Sequence, residues 1–211
     1  MKNLCIVGTG SQARYVIETA GISKNYNILG LVDLEDSDRI GKNINGYNIK
    51  CLLEDIAEYF LPTKCKIVVA YGDNNRKSKV VEQLQDLGYS FTSIIHPSAY
   101  ISKYVEIGEG CILNPNVTIL PNVKIGNHVI IHSGSVIEHD NELGDFVNVA
   151  PGVCTGGNVT VGDGTYLYTG AVVIPKIKIG KWVVVGAGAV VRNRIKNNDV
   201  IAGVPGRSIK H

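Results

Sequence analysis

From Ile101 to Val191 an aliphatic residue returns every six positions, through Ile107, Leu113, Ile119 and onward to Val185, with Thr155 the one break in the row. A six-residue period matches neither the 3.6 of an amphipathic helix nor strand alternation interrupted by turns of variable length. It is the period of a β-solenoid in which each hexapeptide forms one flat side of a triangular coil. Four residues beyond each member of this row stands a second row of mostly small residues, among them Cys111, Ser135, Thr165, Ala171 and Ala189. A corner where the interior narrows demands such residues, and Asn141 is the outlier. The pairs Ile107-Gly108, Ile125-Gly126, Leu143-Gly144, Val161-Gly162 and Ile179-Gly180 recur every eighteen residues, so three hexads make one coil. Roughly five coils fit, stacked about 4.8 Å apart as parallel sheets. A β-sandwich would instead show irregular strand spacing and hairpin turns such as Asn-Gly.

The first half of the chain has a different grammar. Leu4 to Val7 is an apolar run followed by Gly8-Thr9-Gly10-Ser11-Gln12-Ala13, and Val16, Ile17 and Ala20 then have helical spacing. This predicts strand, glycine turn and helix, with exposed amides at the helix start that attract phosphate or another anion. The glycine fingerprint has Ala13 in place of its third glycine, so a purely structural turn is the competing reading. Ile28 to Val32 reads as a second strand ending in Asp33, where such folds place a carboxylate for a ribose hydroxyl. Leu52 to Leu61 reads as a helix, Ile67 to Ala70 as a third strand ending at Tyr71-Gly72-Asp73, Val80 to Leu87 as a helix capped by Gly88, and Ser93 to Ile95 as a fourth strand. The alternation predicts a small open parallel sheet with any ligand at the strand ends near Gly10, Asp33 and Gly72. The composition changes at His96-Pro97-Ser98-Ala99, which divides the chain into residues 1–95, a Rossmann-like domain, and 96–211, the solenoid with its tail.

At 211 residues the chain has room for two domains, and its formal net charge of +2 gives no reason to propose nucleic acid or an acidic membrane surface as partner. The start of the chain shows no signal core and no apolar run approaches a membrane span. Five cysteines without a C-x-x-C pair argue against a disulfide framework and a zinc site. These features predict a soluble, cytoplasmic protein without a metal.

Polar residues crowd into one part of the repeat, Glu138-His139-Asp140-Asn141-Glu142, followed by Asn148 and by Thr155-Gly156-Gly157. Histidine is suited to moving a proton at neutral pH, and a neighbouring carboxylate fixes its tautomer. The competing reading is a solvated outer face. No serine or cysteine stands in a nucleophile elbow, which disfavours a covalent acyl-enzyme. His128 reads as a surface residue in a turn, and His211 as merely terminal.

These residues resemble those of the left-handed β-helix acyltransferases built from hexapeptide repeats. Together with the glycine-turn domain they resemble the bacterial subgroup of nucleotide-linked 4-amino-sugar N-acetyltransferases and sialic acid O-acetyltransferases. The resemblance rests on Val7-Gly-Thr-Gly-Ser-Gln, Gly72-Asp-Asn, His96-Pro-Ser-Ala, Ser135-Val-Ile-Glu-His-Asp and Gly203-Val-Pro-Gly-Arg. It implies an α/β Rossmann-like parallel sheet followed by a left-handed parallel β-helix. It also implies a homotrimer with acetyl-CoA in the groove between neighbouring β-helices and a nucleotide sugar as acceptor. His139 falls on the family's general base and Asp140 on its acidic partner, which is often glutamate. Gly157 falls on the oxyanion donor. Acetyl-CoA contacts fall on Asn148, Thr169 and Ala187, and sugar-nucleotide contacts on Gly10, Ser11, Gln12 and Asp33. Relatives often have Gly-His where this chain has Ser11-Gln12, and some have histidine at the position of Asn148. Acetylation of a 4-amino-4,6-dideoxy sugar, O-acetylation of sialic acid or a related sugar, and an NAD-binding module on a solenoid scaffold are the three functions that remain to be separated.

Overall fold

The computed structural model describes residues 1–209, so His211 lies outside the described residues. The chain divides into two compact units between Pro97 and Ser98.

In the first unit β1 (Lys2–Val7) is buried from Leu4 onward and pairs in parallel with β2 (Tyr26–Asp33) and with β5 (Lys66–Val69). Continuous apolar runs suit strands covered on both faces. Two thirteen-residue helices, α1 (Ser11–Ser23) and α3 (Asn74–Asp86), follow β1 and β5 and bury Val16, Ile17 and Ala20, and Val80, Val81 and Leu84. Asp73 caps α3 by accepting the Arg76 N–H.

Three details differ from the sequence expectation. The sheet order is β3-β4-β2-β1-β5, in which β3 (Asn43–Ile44) and β4 (Tyr47–Leu52) form an antiparallel hairpin that periodicity alone does not reveal. Its turn is Asn45-Gly46, both at positive φ (47° and 94°), the residue pair that a tight hairpin turn favours. The helix expected over Leu52 to Leu61 is reduced to a 3-10 turn, Leu53–Asp55, and one helical turn α2, Ile56–Tyr59. Here Leu53, Ile56 and Phe60 are the residues that need burial. Finally, the strand at Ile94–Ile95 is not part of this sheet, and the segment before it meets β5 through a parallel bridge from Phe91 to Ile67.

The second unit is a parallel β-solenoid of two-residue strands, each paired with the strand eighteen residues on, as in Thr118–Ile119 with Val136–Ile137. The first face has six rungs, from Tyr100–Ile101 to Val190–Val191, and the second has five, from Glu106–Ile107 to Lys178–Ile179. The third runs from Ile112–Leu113 to Val184–Val185 and is continued by Val200–Ala202, against which Arg207–Ser208 lies antiparallel. The aliphatic row points inward, and Ile119, Ile131, Ile137, Val149, Leu167 and Val185 are inaccessible to solvent.

The glycines that mark each coil make room for a ladder of polar caps. Asp145 Oδ1 accepts the Asn127 N–H (2.6 Å) and Asp163 Oδ1 accepts the Asp145 N–H (3.2 Å), while Asn127 and Asn197 cap Glu109 and Lys181 in the same way (3.0 Å each). A Cβ on Gly126 would stand 2.5 Å from Asp145 Oδ1, and one on Gly144 2.8 Å from the Asp163 N. His128, read from sequence as a surface residue, is buried. It sits at a left-handed corner (φ 57°), with its ring stacked on Phe146 at 5.3 Å between centroids. Gly110, one coil earlier, leaves the space its ring fills.

Gly144→Ala forces a methyl into this ladder and is expected to cost about 1–3 kcal/mol in urea denaturation. Gly21→Ala, in the exposed helix surface of α1 with nothing within 4 Å of the new Cβ, is expected to stabilise by about 0.5–1 kcal/mol.

Candidate functional site

His139 stands at the corner between the first and second faces, after the strand Val136–Ile137 and before Glu142–Leu143. Its Nδ1 lies 2.7 Å from Asp140 Oδ2. An ionised carboxylate can only accept, so Nδ1 is the donor, and in the neutral ring Nε2 is the nitrogen that carries the lone pair. Asp140 Oδ1 in turn accepts from Asn122 Nδ2 at 3.0 Å, one coil below. The hydrogen bonds from His139 and Asn122 hold the Asp140 carboxyl below its ordinary range, against a small opposing effect of burial. The imidazole and carboxylate side chains remain half-exposed, at 53% and 42%.

The ring of His139 lies over Gly157, one coil above. A Cβ at that position would meet Cε1 at 2.5 Å and Nε2 at 2.6 Å, so only glycine fits beneath the imidazole. The Gly157 carbonyl accepts the Lys176 N–H, whereas the Gly157 N–H has no acceptor among the described residues. Asn141, the outlier of the small-residue row, is buried beside Thr155, the outlier of the aliphatic row, and donates to its hydroxyl at 2.9 Å. The Nε2 edge of the imidazole therefore lies beside a backbone N–H without an acceptor among the described residues.

Thr169 and Ala187 occupy a different corner, between the third and first faces, and stack through the Gly188 N–H to the Thr169 carbonyl (2.9 Å). The two corners bound the first face and stand about 15–20 Å apart, the reach of one extended hexapeptide. Asn148 lies within the third face, buried, paired between Ile130 and Tyr166. Within one chain the structure thus brings His139, Asp140 and Gly157 together and leaves Asn148, Thr169 and Ala187 apart from them.

In the first unit Gly10, Asp33 and Gly72 stand just beyond or at the C-terminal ends of the adjacent strands β1, β2 and β5, so about 10 Å of sheet edge contains all three. Gly8 takes φ 116°, and a Cβ there would lie 2.5 Å from the Ala70 carbonyl oxygen, which explains the tight turn. Gly10 precedes α1, whose N-terminus has no side-chain cap; Ser11 is exposed and Gln12 buried. Asp33 Oδ1 accepts the N–H groups of Glu35 (3.1 Å) and Asp36 (3.0 Å), and Oδ2 accepts the Thr9 hydroxyl and faces Arg39 Nη1 at 3.5 Å. Burial pushes the Asp33 carboxyl up, but these hydrogen bonds and the Arg39 charge outweigh it, and the net shift is downward. Arg39 also donates to the Thr9 carbonyl at 2.8 Å, and Arg76 pairs with Glu35 and lies over the Tyr71 ring, 5.3 Å from its centroid. Neither arginine is flagged by sequence spacing, since each sits in a short turn or first helical turn.

Residues 3–84 match the family model described as PglD N-terminal domain, and residues 104–139 and 158–193 match the bacterial transferase hexapeptide (six repeats) model. A perosamine N-acetyltransferase from Caulobacter crescentus, solved in complex with CoA and GDP-perosamine, is 31% identical, with a TM-score of 0.91 over 100% of this chain and 98% of that one. The chain belongs to the hexapeptide-repeat family of bacterial sugar acetyltransferases. The acetyltransferase domain of PglB from Neisseria gonorrhoeae, in complex with acetyl coenzyme A, is 27% identical with a TM-score of 0.90 (99% of each chain), and WeeI from Acinetobacter baumannii is 26% identical with a TM-score of 0.88 (99% of this chain, 100% of that one). No curated protein sequence matches.

The fold of this acetyltransferase is accordingly the Rossmann-like domain and left-handed β-helix expected from its sequence, and the protein is an acyltransferase. Because the Asp33 carboxyl titrates lower in the folded acetyltransferase than in the unfolded chain, the stability it contributes is full above the unfolded value and is lost as the pH falls through the folded one. Thermal denaturation followed from neutral pH into acid should show Asp33→Asn losing less stability on acidification than the native protein.

Proposed function

We propose that the protein transfers the acetyl group of acetyl-CoA to the amine of a nucleotide-linked 4-amino-4,6-dideoxy sugar, directly and without an acyl-enzyme. The observation that carries this reading is the imidazole with its Nδ1 proton committed to Asp140 and its Nε2 set over the Gly157 backbone. The neutral amine attacks the thioester carbonyl carbon and a C–N bond forms. His139 Nε2 takes the amine proton as charge develops on the carbonyl oxygen, which the Gly157 N–H stabilises. The C–S bond then breaks, and the imidazolium returns its proton to the departing sulfur. Asp140, kept ionised and oriented by Asn122, stabilises the imidazolium that forms between these steps.

Acceptor recognition is assigned to the first unit, residues 1–95 in the sequence reading. The amides at the start of α1, from Gly10 through Gln12, with Gly72 and the guanidinium of Arg39 near the strand ends, offer donors and positive charge for a diphosphate. Asp33 is the ribose candidate, with Oδ2 the oxygen a ribose hydroxyl would share. The similarity to proteins solved with GDP-perosamine supports this class of acceptor.

The donor site needs more than one copy. Thr169 and Ala187 stand one prism face away from His139, and that intervening face exposes apolar groups at Tyr100, Cys154 and Val172. The second face carries Glu106, Lys124, Glu142 and Lys178 instead. A homotrimer that buries the apolar face sets the His139 corner of one copy against the Thr169–Ala187 corner of the next, with acetyl-CoA between them and Asn148 behind. Five free cysteines fit a reducing, cytoplasmic setting. Among the described residues no helix is long and apolar enough to cross a membrane.

Thiol release from acetyl-CoA, followed over a panel of UDP-, dTDP-, GDP- and CMP-linked sugars with amino or hydroxyl acceptors, tests the reading. Turnover is expected with an amino sugar nucleotide, and His139→Ala should reduce it by about 10²–10⁴-fold. Undiminished turnover in that variant sinks the assigned base, and preference for a hydroxyl acceptor sinks N-acetylation.

A further inference from the structure

Four polar residues of the small-residue row share one habit: each donates to the carbonyl fifteen residues on. Cys111 reaches Gly126 (3.2 Å), Ser135 reaches Ala150 (2.9 Å), Asn141 reaches Gly156 (3.1 Å) and Thr165 reaches Gly180 (2.8 Å). Thr165 also accepts the N–H eighteen residues on, from Val183 (3.1 Å), as Asn141 Oδ1 accepts that of Val159 (2.5 Å). These bonds stitch one coil to the next and would serve anywhere in a solenoid.

Asn141 goes further than this. Its Nδ2 shares two hydrogens among three acceptors, the Gly156 carbonyl, the Glu138 carbonyl (2.7 Å) and Thr155 Oγ1 (2.9 Å), and Thr155 Oγ1 accepts the Glu138 N–H (3.3 Å). Glu138 immediately precedes His139, and Gly156 immediately precedes Gly157. A single buried carboxamide therefore ties the peptide that carries the imidazole to the peptide that carries the unspent N–H. The amide orientation is fixed, because Oδ1 faces a backbone N–H and Nδ2 faces two carbonyls. Asn141 is inaccessible to solvent and Thr155 is 3% exposed, so neither touches a substrate. The surroundings are also tight: a Cβ on Gly156 would meet the Pro175 ring at 2.6 Å.

We infer that Asn141, with Thr155 beside it, is a positioning residue for acetyl transfer, a buried clamp that sets the separation between the His139 imidazole and the Gly157 N–H. The inference rests on the reading of His139 and Gly157 as base and oxyanion donor. It accounts for both breaks in the repeat at once: the polar residue in the aliphatic row and the long one in the small row are two halves of one clamp.

Asn141→Thr isolates the clamp, because a threonine there can make the two generic bonds that Thr165 makes and cannot reach Glu138 as well. Asn141→Thr/Thr155→Val returns both rows to the generic pattern. In steady-state assays both variants are expected to lose about 10–100-fold in kcat, since a misplacement of order 1 Å costs that much, while KM for acetyl-CoA and for the amino sugar nucleotide stays within about twofold, as for an interaction made only in the transition state. Thr165→Val, which removes the same stitch far from His139 in the repeat, is expected to lower the melting temperature and keep kcat. Wild-type kcat in Asn141→Thr with a melting shift like that of Thr165→Val would reduce Asn141 to a structural stitch and overturn the inference. Should Asn141→Thr fail to fold, Thr155→Val alone carries the same comparison. His139→Ala in the same assay separates the two levels: if it is dead while Asn141→Thr is fully active, only the clamp falls, and if it is active the base assignment falls first.

Discussion

Strand spacing governs the second half of this molecule. A parallel sheet repeats at about 4.8 Å, and with eighteen residues to a coil every side chain sits against the residue eighteen positions away. Nothing at a corner can be chosen without regard to what stands above and below it. The glycines at 126 and 144 are the plainest case, since each is empty because the carboxylate of the next coil occupies its space to cap an N–H. Burial of Val and Ile layers supplies the driving force, but this vertical matching determines which residues those layers can carry at their edges.

The candidate site obeys the same rule. Asn122, Asp140 and Asn158 form one vertical column, and His139 and Gly157 form the column beside it. Asn122 holds the carboxylate from below and Gly157 receives the ring from above. Asn122, the His139–Asp140 pair and Gly157 are three consecutive levels of the solenoid, so a site placed there has the rigidity that a loop-borne site would need extra packing to obtain. Thr169 and Ala187, by contrast, stand a full face away from this stack.

The fold was legible because the repeat is long and physical necessity leaves a hexad few choices. The hairpin of the first unit was not, although Asn45-Gly46 advertises a turn, because two-residue β3 carries no periodicity of its own. The roles of His139, Asp140 and Gly157 came from resemblance, but the period already contained their neighbours: subtracting eighteen from Asp140 gives Asn122, and adding eighteen to His139 gives Gly157. The Asn141–Thr155 pair is fourteen apart, off the vertical, so it showed in sequence only as two unexplained exceptions. Arg39 and Arg76 left no trace, since their approach to Thr9 and Tyr71 depends on how turns fold back over a sheet edge.

The pairing of His139 with Asp140 raises a geometric question, because adjacent residues of an extended chain point to opposite sides. The corner answers it. Asp140 has φ 58°, and Asn122, Asn158 and Lys176, its equivalents in other coils, are likewise left-handed at 63°, 60° and 65°. That kink turns the chain onto the next face and swings the Asp140 side chain back toward the ring of the residue before it. Left-handed backbone costs most residues about 1–2 kcal/mol, and Asp and Asn are among the few that visit it routinely. A carboxylate at this position is therefore compatible with the fold on its own terms, and a short one reaches Nδ1 at 2.7 Å without stretching. The local conformation that lets a hexapeptide turn a corner is the one that brings a carboxylate to the Nδ1 of the histidine before it.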